Sequence, residues 1–241
     1  PGAVQGERTE TMVEVGVLAL QGAFEEHIEQ LEQLGVAGRQ VRTAAELEGI
    51  DGLIMPGGES SAMALVGEAD GFWPDLKAFV QSGKPVWGTC AGMILLSDTA
   101  LAQKRGGQAL VGGLDVKVCR NYFGAQISSM EAAFDCSVDA EGAPTEKDSC
   151  TGVFIRAPAI LEAGEGVQVM ASLVAAPCAK AARQLANEER VTAVEPAAKK
   201  PKVVGEAREV IVAVRQGHIL ATAFHPELTE DLRWLKYFLG M

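Results

Sequence analysis

The chain has 241 residues, 48% of them hydrophobic, and a formal net charge of −11. That apolar content can bury a large core in one domain, and the acidic balance argues against a nucleic-acid partner, which needs clustered Lys and Arg to meet phosphate. No apolar run reaches the roughly 18 residues of a membrane span. The five cysteines form no C-x-x-C pair, so the expectation is a soluble, cytoplasmic protein with reduced thiols and no membrane partner.

Residues 1–12 are polar, without the apolar centre of a secretory signal, and read as a flexible tail. Residues 13–20 form a nearly continuous aliphatic run, as a strand buried on both faces requires. Over 23–34, Phe24, His27, Ile28, Leu31 and Leu34 recur at helical spacing, which puts His27 on an apolar stripe, and Gly35 closes the helix. Strands over 36–41 and 52–55, a short helix over 44–47, a helix over 73–81 and a strand over 85–87 follow. This alternation predicts a parallel sheet with right-handed crossovers, whose ligand sites lie at the carboxyl ends of the strands. Beyond Leu96 come extended segments around 116–118, 132–138, 152–155 and 167–173, the pattern of antiparallel hairpins added to a parallel core. Residues 175–205 read as a surface insertion, helical near 179–189, that interrupts a hairpin. Residues 210–214 and 219–224 pair across Gln216-Gly217. The expected fold class is therefore α/β, a mostly parallel central sheet flanked by helices with added antiparallel hairpins, in a single domain over 1–241.

Two glycine-rich corners fall at strand ends. Gly88-Thr89-Cys90-Ala91-Gly92 separates the 85–87 strand from the helix opened by Met93, Ile94, Leu95 and Leu96. A side chain on such a corner is exposed with the next backbone N–H pointing the same way, and the helix N-terminus favours the thiolate form of a Cys. A structural cysteine beside a tight turn has the same spacing. Pro56-Gly57-Gly58-Glu59-Ser60-Ser61 closes the third strand; its glycines let the backbone approach a ligand, and Ser60 is placed to cap the next helix, although a plain β-to-α turn looks alike. With no G-x-G-x-x-G and no Lys-Ser or Lys-Thr at the P-loop offset, the expected ligand is an amide, a carboxylate or an oxyanion.

Arg120 and Arg156 each follow an extended segment, where a guanidinium serves either as a carboxylate clamp or as a structural ion-pair partner. His225 and Glu227 flank Pro226. In an extended segment residues two apart project to one side, so the carboxylate can orient the imidazole. A Cys at one strand end and an oriented His at another make a base-activated nucleophile. With three histidines and no spaced Cys or His cluster, no metal site is expected.

The Gly88–Gly92 corner together with Phe224-His225-Pro226-Glu227 resembles the class I glutamine amidotransferases. Leu18-Ala19-Leu20-Gln21-Gly22, Pro56-Gly57-Gly58-Glu59-Ser60-Ser61, Val153-Phe154-Ile155-Arg156-Ala157-Pro158 and Arg215-Gln216-Gly217 are similar to one branch of them, the glutaminase subunits of pyridoxal 5′-phosphate synthase. The resemblance spans about 13–239 and fails at 175–205, where the compact bacterial members have a short connection. It implies a flavodoxin-like fold, no cofactor, and hydrolysis of L-glutamine to glutamate and ammonia through a thioester on Cys90, with His225 and Glu227 completing the triad. By the same resemblance Gly58 and Ala91 supply the oxyanion N–H groups, and Gly57, Gly58, Glu59, Ser60, Arg120, Ile155 and Arg156 line the glutamine pocket. The implied partner is a pyridoxal 5′-phosphate synthase subunit in a hetero-oligomer, which takes the ammonia for vitamin B6 synthesis. Activity is expected to depend on docking, with the Gly57-Gly58 peptide as the lever.

Three other readings compete. A glutaminase subunit of histidine or purine synthesis shares the Cys and His-Pro-Glu motifs, but not Gly-Gly-Glu-Ser or Phe-Ile-Arg-Ala-Pro. A cysteine peptidase or chaperone-like relative commonly has His after the nucleophile, where this chain has Ala91. A catalytically silent scaffold for the synthase would not need the three triad residues, all of which are present.

Overall fold

The computed structural model describes residues 14–101, 107–124, 130–192 and 206–241. The expected tail over 1–12 and residues 193–205 of the expected insertion lie outside them. In chain order, β1 (Glu14–Leu18), α1 (Phe24–Gln33), β2 (Ala37–Val41), a 3-10 turn over Ala44–Leu47 and β3 (Gly52–Met55) are followed by α2 (Ser60–Ala69), α3 (Trp73–Gln81), β4 (Val86–Thr89) and α4 (Ala91–Leu96). Next come β5 (Ser97–Leu101), β6 (Leu114–Cys119), β7 (Met130–Val138), β8 (Pro144–Phe154), β9 (Ala159–Ala163), β10 (Gln168–Ala175) and α5 (Ala179–Thr192). The chain ends with β11 (Arg208–Gln216), β12 (Ile219–Thr222), a 3-10 turn over Pro226–Leu228 and α6 (Arg233–Leu239).

The parallel part of the sheet runs β2-β1-β3-β4-β12. Its central strands are buried on both faces, every residue of β3, β4 and β12 included, which is why they read as unbroken apolar runs. Beyond β12 the order continues β11-β10-β7-β8 through antiparallel pairs. A side branch runs from β11 to β9, β6 and β5. β10 and β11 pair over Ala175↔Arg208 to Gln168↔Arg215, so the chain between them leaves and re-enters one antiparallel ladder.

Several expectations need correction. β12 stops at Thr222, short of the expected 219–224 strand, and the chain then turns into the 3-10 segment. β5 and β9 escape a reading by periodicity because Ser97-Asp98-Thr99 is polar and Ala159–Ala163 does not alternate. Ser60 does not cap α2: the N-cap is Glu59, without a side-chain cap, and the Ser60 hydroxyl reaches Gln108 instead.

An aromatic cluster joins the two parts of the sheet. Phe224 packs on Phe134, Phe154 and Trp234 at ring-centroid distances of 5.1, 5.7 and 5.5 Å. These rings bury large apolar area in specific geometries, and they fix the backbone that leads into His225. Among the described residues no helix is long and apolar enough to cross a membrane.

Candidate active site

Cys90 joins β4 to α4 with φ 46° and ψ −98°, a conformation that side chains rarely adopt. It is held there by close packing on both sides. A Cβ on Gly88 would lie 2.7 Å from the Gly92 backbone, and one on Gly92 would lie 1.9 Å from the Met55 carbonyl oxygen. Both glycines are therefore steric requirements of the corner. The Cys90 N–H donates to the Thr222 carbonyl at 2.8 Å, tying the corner to the end of β12. As the first residue of α4, Ala91 has no carbonyl one turn earlier for its N–H to meet.

His225 follows β12 and is buried, its N–H donating to the Val153 carbonyl at 2.9 Å. It lines one cavity with Cys90, and its Nδ1 lies 2.7 Å from Glu227 Oε1. Burial works against the charged ring, but the Cys90 and Glu227 contacts outweigh it and push the pKa up to about 10. For Glu227, too, burial is opposed: His27 and His225 hold its carboxyl below the usual range. The pair meets through the 3-10 turn over Pro226–Leu228 rather than along an extended strand, so the contact is the expected one and its backbone is not.

Gly57 lies under this pair. A Cβ there would sit 2.4 Å from His225 Cε1 and 3.4 Å from Glu227 Oε1, so the histidine ring rests on bare backbone. The Gly57 carbonyl accepts the Ala23 N–H at 3.0 Å. A trans peptide therefore directs the Gly58 N–H away from Ala23. Gln21 Oε1 accepts the Glu59 N–H at 2.6 Å and holds the turn from its other side.

In front of Cys90 and His225 lies a cavity of about 180 Å³, lined also by Gly58, Glu59, Ser60, Arg120, Ile155 and Arg156, with Ile94 and Asn121 completing the wall. The volume is well below the roughly 300–1,000 Å³ of drug-sized sites and suits one small metabolite. Arg120 Nη2 donates to Glu59 Oε1 and to Ser61 Oγ, each at 3.1 Å, while Arg156 Nη2 lies 3.7 Å from Glu59 Oε2. Arg120 is buried and Arg156 is largely exposed. Burial pulls the Arg120 pKa down, and Glu59 opposes that pull. Among the described residues, the non-glycine positions with positive φ are Cys90, Asn121 and Arg156, and all three line this one cavity. Such strain costs about 1–3 kcal/mol per residue and concentrates at functional sites.

The structure thus brings Cys90, His225, Gly58, Glu59, Ser60, Arg120, Ile155 and Arg156 together around one cavity, with Glu227 behind His225. Gly57 supports the histidine rather than lining the cavity. Sequence reasoning missed Ile94, Asn121 and Gln108. Ser60 and Ser61 both donate to Gln108 Oε1, at 3.2 and 3.1 Å. No spacing rule points to it, because it comes from a turn-rich segment remote in sequence.

A cysteine on a strained strand-to-helix corner, beside a carboxylate-oriented histidine on an arginine-lined cavity, is the arrangement that cysteine-nucleophile enzymes use. The model of the SNO glutamine amidotransferase family matches residues 17–185, and the chain belongs to that family. It is 48% identical to "Probable pyridoxal 5'-phosphate synthase subunit PDX2" of Arabidopsis thaliana, over 94% of this chain and 85% of that protein. To the "Pyridoxal 5'-phosphate synthase subunit PdxT" of Bacillus licheniformis it is 40% identical, over 95% of each. A solved glutamine amidotransferase structure matches with a TM-score of 0.69 and 38% identity, over 94% of this chain and 97% of that one. PurLQS of Thermotoga maritima, at 13% identity and a TM-score of 0.62, shares the fold.

Proposed function

We propose that this chain is the glutaminase of a pyridoxal 5′-phosphate synthase: it hydrolyses L-glutamine to glutamate and ammonia and delivers the ammonia to a synthase subunit docked on it. The observation that carries this reading is the chain of contacts from Cys90 through His225 to Glu227, opening onto a cavity with two arginines. The sulfur of Cys90 attacks the side-chain amide carbon. The resulting oxyanion is met by the N–H groups of Ala91 and Gly58, donors of a kind worth about 3–4 kcal/mol each in the transition state. His225, held protonated by its neighbours, gives its proton to the departing ammonia, then takes one from the water that cleaves the thioester. Glu227 keeps the ring in position throughout. Glu59, Ser60 and the arginines bind the amino-acid end of glutamine, with Arg120 taking the α-carboxylate because its guanidinium is the buried one.

Ammonia released into water is lost to synthesis, so hydrolysis is tied to docking, and the Gly57-Gly58 peptide is the lever. In the present conformation its carbonyl is latched to Ala23, and turning it requires breaking that bond. The setting is the cytoplasm. The test is glutamate release by this chain alone and after mixing with a pyridoxal 5′-phosphate synthase subunit. A strong rise on mixing is expected; equal rates would remove the gating, and no glutamate in either case, with the fold intact, would remove the glutaminase reading.

A further inference from the structure

We infer that His27, on α1, is a positioning residue that holds the free oxygen of Glu227 and so extends the chain to Cys90–His225–Glu227–His27. The inference rests on the glutaminase reading for its substrate, but its geometry stands apart from that reading. His27 is fully buried, with Nε2 at 3.5 Å from Glu227 Oε2 and 3.4 Å from Thr89 Oγ1. Glu227 gives Oε1 to His225, while Oε2 is buried without a hydrogen-bond partner and has the His27 ring 3.5 Å away. A buried carboxylate oxygen is costly to leave unpaired, and the His27 imidazole is the polar group within reach of it.

Burial depresses the pKa of the ring, against the opposing pull of Glu227. The charged and titratable groups that act on it are Glu227, His225 and Glu26. Nε2 lies between the Thr89 hydroxyl at 3.4 Å and the carboxylate at 3.5 Å, so a proton carried there is shared between these two neighbours. This leaves Nδ1, which has no hydrogen-bond partner, as a bare acceptor, a lesser penalty than an orphaned N–H. The Trp87 ring meets His27 edge-on at 5.6 Å and limits its rotation. The same helix also anchors the backbone around Glu227: Gln30 Nε2 donates to the carbonyls of Pro226 and Thr229 at 3.2 and 3.1 Å. A helix that holds both the backbone and the second carboxylate oxygen fixes where Glu227 aims, and hence where His225 meets Cys90.

Three variants separate this role from simple core packing. His27→Gln carries an N–H close to the Nε2 position, His27→Asn carries one only near Nδ1, and His27→Leu carries none. Assayed as the complex with the synthase subunit, His27→Leu and His27→Asn should lose about tenfold or more in kcat, as expected for a displaced catalytic group. KM should stay within about twofold, and His27→Gln should recover most of the rate. The rate of Cys90 alkylation by iodoacetamide, followed by peptide mass, should fall in the same order and needs no glutamine. If Cys90 alkylation follows this order across the four proteins but the parent releases no glutamate, the glutaminase reading fails and the role of His27 stands. Equal rates in all four proteins, or Gln no better than Asn, would overturn the inference. Should His27→Leu not fold, the comparison of Gln with Asn decides alone.

Discussion

The parallel and antiparallel halves of the sheet contribute differently to the site. In the proposed mechanism the reacting groups come from the parallel half: Cys90 follows β4, the Gly57-Gly58 turn follows β3, and His225 follows β12. The arginines come from the other half, Arg120 at the end of β6 and Arg156 just past β8. Parallel strands buried on both faces fix their ends tightly, as bond formation demands. The antiparallel half contributes arginines, and it joins the other half through the β11–β12 ladder, the Val153 carbonyl bound to His225 and the rings around Phe224. Changes at Cys90, His225 and the Gly57-Gly58 turn should therefore act on turnover, and changes at the arginines on substrate affinity.

Cys90→Ala is the most severe break. Glutamate release should fall by at least about a thousandfold, as when any member of such a unit is lost, while docking to the synthase, followed by co-purification, is retained. The same variant tests the electrostatics. Cys90 is one of the groups that push His225 up to about 10, so the imidazole should titrate closer to the ordinary value of about 6.5 when followed by NMR. A raised histidine pKa stabilises the folded state fully below the unfolded value and loses that stabilisation as pH rises toward the folded one. Between about pH 6.5 and 10 the parent should thus lose thermal stability faster than the variant.

Gly57→Ala sharpens the comparison from within the parallel half. The added methyl would stand 2.4 Å from His225 Cε1, so the ring must move. A shift of about 1 Å can cost roughly a hundredfold in rate, and the loss should appear in kcat with KM little changed. An unaltered kcat would mean that the ring is not seated on this peptide.

Much of this arrangement is legible in the sequence. The buried strands announce themselves as apolar runs, and their glycine corners mark where a backbone must approach something closely, as Gly92 does Met55. The sequence-based view of His27 was incomplete: helical spacing correctly buries it, but periodicity does not tell which polar atom waits on the far side. That atom belongs to Glu227, which lies 200 positions later in the chain. Ser60 illustrates the same limit. A serine at a helix start satisfies the local rule for a cap, yet its hydroxyl bonds Gln108 at 3.2 Å through tertiary packing. The His225 and Glu227 pair was found through a rule for extended chain although a 3-10 turn makes the contact, because two residues' separation allows both.

The smallest expected effects separate the two arginines. Arg120 donates to Glu59 and Ser61 from a buried position, and its Nε has no hydrogen-bond partner. Lysine in its place keeps one charge but loses the planar fork and the spare donor. KM for glutamine should rise by about tenfold, the scale of one charge-assisted hydrogen bond, with kcat nearly unchanged. Arg156 holds Glu59 only at 3.7 Å from an exposed position, where solvent screens the pair, so Arg156→Lys should cost no more than about threefold in KM. Arg156 sits at φ 51°, but the replacement keeps a side chain on that backbone and leaves its strain as it is. Glu59 bridges both arginines, so the double variant should exceed the product of the single effects, since losing one partner leaves Glu59 leaning on the other. A larger KM change at Arg156 than at Arg120 would reverse the assignment of the α-carboxylate, while a kcat loss at either would mean that the antiparallel half reaches into the chemistry itself.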